Sequence, residues 1–235
     1  MLDKKLIDLK KSVYSANMRL QEEKLVMFTF GNVSGIDRER QIVAIKPSGV
    51  DYNKLTYEDI VLVSLDGKIV HGNLNPSSDT KTHLKLYMEF LEIGGVAHTH
   101  SIFATAFAQA HLPIKCLGTT HADYFFGDIP CSKVITDKSI GRDYEEETGN
   151  LIIDTFRVRN LSYKDMKACL VASHGPFTWG SDAGEAVFIS AVLEEIARLN
   201  IFTQLLNPSI SSIRKTLLDK HYLRKHGKNA YYGQH

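Results

Sequence analysis

Asp66-Gly67 stands between two short β-prone segments, Val61-Leu62-Val63 and Lys68-Ile69-Val70. In that setting an Asp-Gly pair specifies a tight hairpin, because glycine takes up a positive φ without steric cost. Strands joined so closely must run antiparallel, which excludes a wholly parallel, doubly wound sheet. Residues 26–30, 42–45 and 60–63 are also short, β-branched or aromatic, and set apart by polar or turn-forming residues, so they read as strands. Helices alternate with them. Leu2, Leu6, Leu9, Val13, Ala16 and Leu20 form the stripe of an opening amphipathic helix. Ser77-Ser78-Asp79-Thr80 offers N-caps to a helix carrying Leu84, Tyr87, Met88 and Leu91. Further helices are predicted over 103–110 and 144–156, the second opening on the acidic turn Glu145-Glu146-Glu147. Ala183, Ala186, Val187, Ala191, Leu193, Ile196, Ala197 and Ile201 predict a long helix, and a last one is expected around Ile213, Leu217 and Leu218. Together these elements predict an α/β fold with one mixed sheet covered by helices.

A chain of 235 residues can bury a substantial core as a single domain, expected here to span 1–235. Its 28 basic and 27 acidic residues leave a formal charge of +1, which gives no global attraction to nucleic acid or an anionic membrane. Small molecules are the expected partners. The opening Met1-Leu2-Asp3-Lys4-Lys5-Leu6-Ile7-Asp8 breaks its apolar residues with charges, unlike a secretory leader, and no later run approaches a membrane span. A soluble cytoplasmic protein is expected. Cys116, Cys131 and Cys169 are widely spaced and odd in number, so they read as small buried hydrophobes rather than disulfide partners or thiolate ligands. His121 or another histidine would be needed to activate one of them as a nucleophile.

The chemistry concentrates in histidine. His98 and His100 close the apolar run Gly94-Gly95-Val96-Ala97, and His174 lies in Ser173-His174-Gly175-Pro176 after the strand-like Leu170-Val171-Ala172. If 95–98 is a strand, positions i and i+2 project from one face, so both imidazoles can reach one ion while Thr99 points away. Three imidazoles suit zinc or a similar divalent metal, and a three-ligand set leaves a position open for water or substrate. Any one of the ten histidines taken alone would be better read as satisfying a local hydrogen bond.

Lys46-Pro47-Ser48-Gly49 and Pro76-Ser77-Ser78-Asp79 can present backbone N–H groups and hydroxyls to a phosphate, although ordinary turn and cap chemistry also explains them. Asp79 is either a helix cap or a fourth, displaceable metal ligand. Thr119-Thr120-His121-Ala122-Asp123-Tyr124 gathers proton-transfer groups, and Asp123 becomes a general acid or base only if it meets the metal. Gly31-Asn32-Val33-Ser34-Gly35 lacks both the dinucleotide fingerprint and the phosphate-loop Gly-Lys-Ser/Thr, so no nucleotide cofactor is expected. The tail Lys220-His221-Tyr222-Leu223-Arg224-Lys225-His226-Gly227-Lys228 with Tyr231-Tyr232 is a solvated basic helix end or an arm reaching a neighbouring subunit.

Taken in order, Gly31-Asn32-Val33-Ser34, Lys46-Pro47-Ser48-Gly49-Val50-Asp51, Pro76-Ser77-Ser78-Asp79-Thr80, His98-Thr99-His100-Ser101, Gly118-Thr119-Thr120-His121-Ala122-Asp123-Tyr124 and Ser173-His174-Gly175-Pro176 resemble the class II aldolase and ribulose-phosphate epimerase family. Leu217-Leu218-Asp219-Lys220-His221-Tyr222-Leu223-Arg224-Lys225-His226-Gly227 with Tyr231-Tyr232-Gly233-Gln234 points to its epimerase members, and His235 extends past the familiar ending. The resemblance implies a mostly antiparallel central sheet in each subunit of a homotetramer, with active sites between subunits. It implies zinc at His98, His100 and His174, phosphate near Ser48, Gly49, Ser77 and Ser78, and Asn32 and Lys46 in the same pocket. The implied reaction interconverts L-ribulose 5-phosphate and D-xylulose 5-phosphate by breaking C3–C4, rotating the aldehyde fragment and re-forming the bond. Asp123 and Tyr232 of a neighbouring subunit would exchange protons at the C4 oxygen. His221 and Arg224 would position substrate from across the interface with the rest of segment 209–235, and Thr119 and Glu145 are weaker candidates for the pocket. A sugar-phosphate aldolase would share the metal and phosphate sites but release its fragments. A zinc hydrolase using Asp123 as base and a non-catalytic metal protein with a closed coordination shell are the remaining readings.

Overall fold

The computed structural model describes residues 2–233; Gln234 of the tail motif and the terminal His235 lie outside them. In chain order the elements are α1 (Lys4–Glu22), β1 (Asn32–Asp37), β2 (Ile42–Ile45), β3 (Val61–Ser64), β4 (Ile69–His71), α2 (Thr80–Glu89), β5 (Gly95–His98), α3 (Ile102–Gln109), α4 (Thr119–Ala122), α5 (Asp137–Ile140), α6 (Tyr144–Val158), β6 (Ala168–Val171), β7 (Gly175–Gly180), α7 (Ala183–Leu206) and α8 (Lys215–His226). The strands form one sheet in the order β4-β3-β2-β1-β5-β7-β6. Every strand pair in it is antiparallel, so the expected mixed sheet gives way to the antiparallel one that the family resemblance implied.

Side chains alternate between two buried layers, as a pleated strand requires. Val43, Val61, Val63, Val96, Phe177 and Trp179 join Leu84, Tyr87, Phe107, Ile152 and Phe156 in one core. Ala44, Leu62 and Ala97 face the other, with Leu6, Val13 and Leu20 of α1 and Ala183 and Val187 of α7. Central strands buried on both faces explain why strict alternation is muted in the sequence. The hairpin forms as expected, with Gly67 at φ +83° between β3 and β4.

Two expectations fail for local reasons. Residues 26–30 form a turn rather than a strand: Phe30 N–H bonds the Met27 carbonyl, Phe28 adopts φ +54°, and Met27, Phe28 and Phe30 are exposed. Aromatic content raises β-propensity only where a pleated surface exists to receive the rings. The strand begins instead at Asn32, inside the glycine-flanked segment Gly31-Asn32-Val33-Ser34-Gly35. Gly175–Gly180 is a fully buried strand for which the sequence pattern gives no expectation; Pro176 sits near its start, where a missing N–H is tolerated. The last helix begins at Lys215, leaving Ile213 in the preceding segment with its N–H bonded to the Cys116 carbonyl.

Candidate active site

The site is assembled where three strands end together. His98 closes β5 and is in register with Asn32 of β1 on one side and Phe177 of β7 on the other. Its ring stacks on Phe177 at 4.2 Å. Its Nδ1 lies 3.0 Å from the Pro176 carbonyl, which can only accept, so Nδ1 carries the proton and Nε2 is left as a lone-pair donor. His100 lies beyond the end of β5, yet its Nε2 comes within 3.1 Å of His98 Nε2. His174 arrives from the link between β6 and β7. There Ser173 takes a left-handed φ of +62°, bonds its N–H to the Ala108 carbonyl at 2.9 Å, and holds His111 Nε2 at 2.6 Å. The ligating atoms of His98, His100 and His174 lie within 4.8 Å of one another, which fits one divalent metal held by three nitrogens.

Burial lowers the His174 pKa to about 3, with His98 and His100 adding to the effect, and burial lowers His100 as well. Both rings are therefore neutral and ready to ligate at ordinary pH. Asp79 occupies the N-cap position of α2, but its carboxylate does not cap the helix. It turns inward and accepts from Asn32 Nδ2 at 2.7 Å. Burial raises its pKa, but the imidazoles of His98, His83 and His174 and the Asn32 amide outweigh that and hold it below the ordinary carboxylate range. The cap role is thereby removed. Asn32 Nδ2 also reaches Ser77 Oγ at 3.0 Å, while its buried Oδ1 has no protein partner among the described residues.

These groups line a cavity of about 420 Å³. Lys46, Ser48 and Gly49 form one wall, Ser77, Ser78 and Asp79 another, and Tyr144 and Glu145 a third, with the histidines and Asn32 between them. The first two walls are joined by backbone: Ser77 N–H bonds the Lys46 carbonyl and Ser48 N–H the Asn75 carbonyl. Lys46 is almost fully buried, donates to the Val50 carbonyl at 2.7 Å, and has its pKa lowered by burial to about 8. Exposed Ser48, Gly49 and Ser78 beside an ammonium form a surface suited to a phosphate.

The proton-transfer candidates lie elsewhere in the same chain. Asp123, which ends α4, accepts from Arg224 through Nε at 3.0 Å and a terminal nitrogen at 2.7 Å, and from His221 Nδ1 at 3.1 Å. Burial raises its pKa, but the bonds from Arg224 and His221 outweigh this and keep it ionised. The Tyr232 ring lies 4.7 Å from the Arg224 guanidinium. Among the described residues, Asp123, His221, Arg224, Tyr232 and Thr119 do not line the histidine cavity of their own chain. Glu145 does, in the predicted acidic turn that opens α6. Tyr144, Thr29 and Phe30 also line it and carried no sequence signal beyond adjacency to Glu145 and Asn32. The three cysteines are buried, and burial pushes Cys116 to about 12 and Cys131 to about 11, so neither is a thiolate nucleophile.

The chain is 50% identical over 226 residues to the L-ribulose-5-phosphate 4-epimerase UlaF of Salmonella paratyphi B, covering 96% of this chain and 98% of that one, and equally identical to the Salmonella typhi protein of the same name. Among solved structures, an L-fuculose 1-phosphate aldolase superposes with a TM-score of 0.77 at 23% identity, covering 94% of this chain and 96% of that one. A sugar-phosphate aldolase from Thermotoga maritima gives 0.64 at 20% identity, covering 85% and 96%. At such identities they show a shared fold. The family profile described as class II aldolase and adducin N-terminal domain matches residues 11–201, and the chain belongs to that family.

Proposed function

We propose that this protein is an epimerase interconverting L-ribulose 5-phosphate and D-xylulose 5-phosphate. The observation that carries the reading is half-identity, over nearly the whole chain, to relatives named for that activity, in a chain whose three-histidine centre opens onto a phosphate-suited cavity. His98, His100 and His174 would hold one zinc ion, with Asp79 beside it, and the metal would supply Lewis acidity for the charge that develops when C3–C4 breaks. Ser48, Gly49, Ser77, Ser78 and Lys46 would bind the phosphate and anchor the aldehyde fragment while it rotates. Asn32, through its unpartnered Oδ1, would accept a hydrogen bond from a substrate hydroxyl. Cleavage and re-addition is the favoured route because the C4 proton is not adjacent to the C2 carbonyl and is too weakly acidic for simple removal and return.

Asp123 and Tyr232 would exchange protons at the C4 oxygen, one on each face, in the site of a neighbouring subunit, with His221 and Arg224 positioning substrate. Their clustering away from the cavity of their own chain supports a site completed by another copy within a homotetramer, to which segment 209–235 contributes. Leu199, Phe202, Leu205 and Leu206 are exposed on one end of α7, as a face covered by another copy would be. A cytoplasmic location belongs to the same reading; among the described residues no helix is long and apolar enough to cross a membrane.

The test is conversion of L-ribulose 5-phosphate by native, chelator-stripped and zinc-restored protein. Metal-dependent formation of D-xylulose 5-phosphate without accumulated glycolaldehyde phosphate is expected. Accumulated fragments would favour an aldolase, and no reaction from folded, zinc-loaded protein would overturn the substrate.

A further inference from the structure

Gly149 lies in the middle of α6, where glycine is disfavoured by roughly 1 kcal/mol relative to alanine. Its neighbours explain the choice: a Cβ there would stand 2.7 Å from Lys85 Cβ and 3.3 Å from the Thr82 carbonyl oxygen. The missing side chain lets α6 close onto α2. Polar contacts then lock the first turns of the two helices together. Thr82 Oγ1 donates to the Glu145 carbonyl at 2.6 Å, Lys85 pairs with Glu146 at 2.7 Å, and Lys81 pairs with Asp143, whose carboxylate caps α6.

This docking sets the place of Tyr144, the first residue of α6. Its hydroxyl lies 3.3 Å from His174 Nδ1, and the two rings are 6.0 Å apart. His98 has its tautomer fixed by a backbone carbonyl, whereas the partner of His174 Nδ1 is a side chain brought by α6.

We propose that Tyr144 is a positioning residue for the third metal ligand: its oxygen accepts the Nδ1 proton of His174, which fixes the ring and leaves Nε2 as the unprotonated donor. The proposal rests on the reading of His98, His100 and His174 as a metal centre. It makes the close approach of α6 to α2, licensed by Gly149, part of the construction of that centre. Tyr144 acts through His174.

The test compares full-length wild type with Tyr144→Phe, which removes only the hydroxyl. Zinc affinity is measured by competition with a chromophoric chelator, cobalt coordination by the visible spectrum, and folding by the thermal midpoint of metal-free protein. The expected result is an unchanged metal-free midpoint, an altered cobalt spectrum and zinc binding weakened roughly ten- to hundred-fold, the range seen when an outer hydrogen-bond partner of a ligand is lost. Wild-type affinity and an unchanged cobalt spectrum in Tyr144→Phe would overturn the proposal while leaving the metal centre standing. Failure of wild type to bind zinc or cobalt would overturn both. A measurement that does not depend on the variant is nitrogen NMR of histidine-labelled, zinc-loaded wild type: a protonated Nδ1 on His174 is expected, and an unprotonated Nδ1 would refute the assignment.

Discussion

Asn32 of β1 and His98 of β5 are cross-strand partners, the register pair that ends their antiparallel ladder. The pairing sets an amide beside a ligand candidate without any sequence proximity. From there the amide reaches both Asp79 and Ser77. Asn32→Ala leaves the inward-turned Asp79 carboxylate without its short bond and is expected to cost ~1–3 kcal/mol. Denaturant unfolding should record that loss, and kcat/KM should fall with it. Unchanged stability would mean that water replaces the amide at no cost.

Asp123→Asn is expected to lower epimerisation by roughly 10²-fold or more while zinc content stays at the wild-type level, because in the proposed scheme Asp123 would carry proton transfer and hold no metal. Zinc analysis and turnover are measured on the same sample. Parallel loss of both would place Asp123 in support of the metal centre. For Tyr232→Phe, intact folding with undiminished turnover would remove the phenol from the proton-transfer scheme.

A site shared between subunits predicts complementation. Asp123→Asn and His98→Ala subunits are each expected to be nearly inactive alone. Co-assembled, they should regain activity, since some sites then combine an intact histidine centre with an intact Asp123. The assay is turnover of co-expressed mixtures against each variant, and absence of recovery would argue for sites complete within one chain.

Acid should loosen the fold through histidines outside the metal set. Burial lowers His83 to about 3 and His121 to about 4, from an ordinary 6.5. Between those values and 6.5 the unfolded chain binds protons that the folded chain refuses. The unfolding free energy therefore rises with pH across this window and falls as the medium is acidified, by up to about 1.4 kcal/mol per pH unit for each such group. Urea unfolding of metal-free protein at several values below pH 7 checks the slope, and a flat profile down to the ordinary carboxylate range would contradict it.

Local chemistry made much of this protein legible from its residues. The hairpin at Asp66-Gly67, the amphipathic stripe of α1, the acidic turn opening α6 and the i, i+2 histidines at the end of β5 each depend on residues a few positions apart, where periodicity and φ preference dominate. The residues also point to His174 and to the phosphate segments, and resemblance to the family adds the antiparallel sheet. Only the tertiary structure decided the rest. Strand pairing makes Gly175–Gly180 a buried strand despite its proline, and the lack of a receiving surface makes 26–30 a turn despite its aromatics. Helix docking turns Asp79 from a cap into a cavity wall, brings Tyr144 to His174, and gathers Asp123 with Arg224 away from the histidines. These outcomes depend on which surfaces remain to be buried once the sheet has formed, and that follows from packing between residues far apart in the chain, which no local pattern encodes.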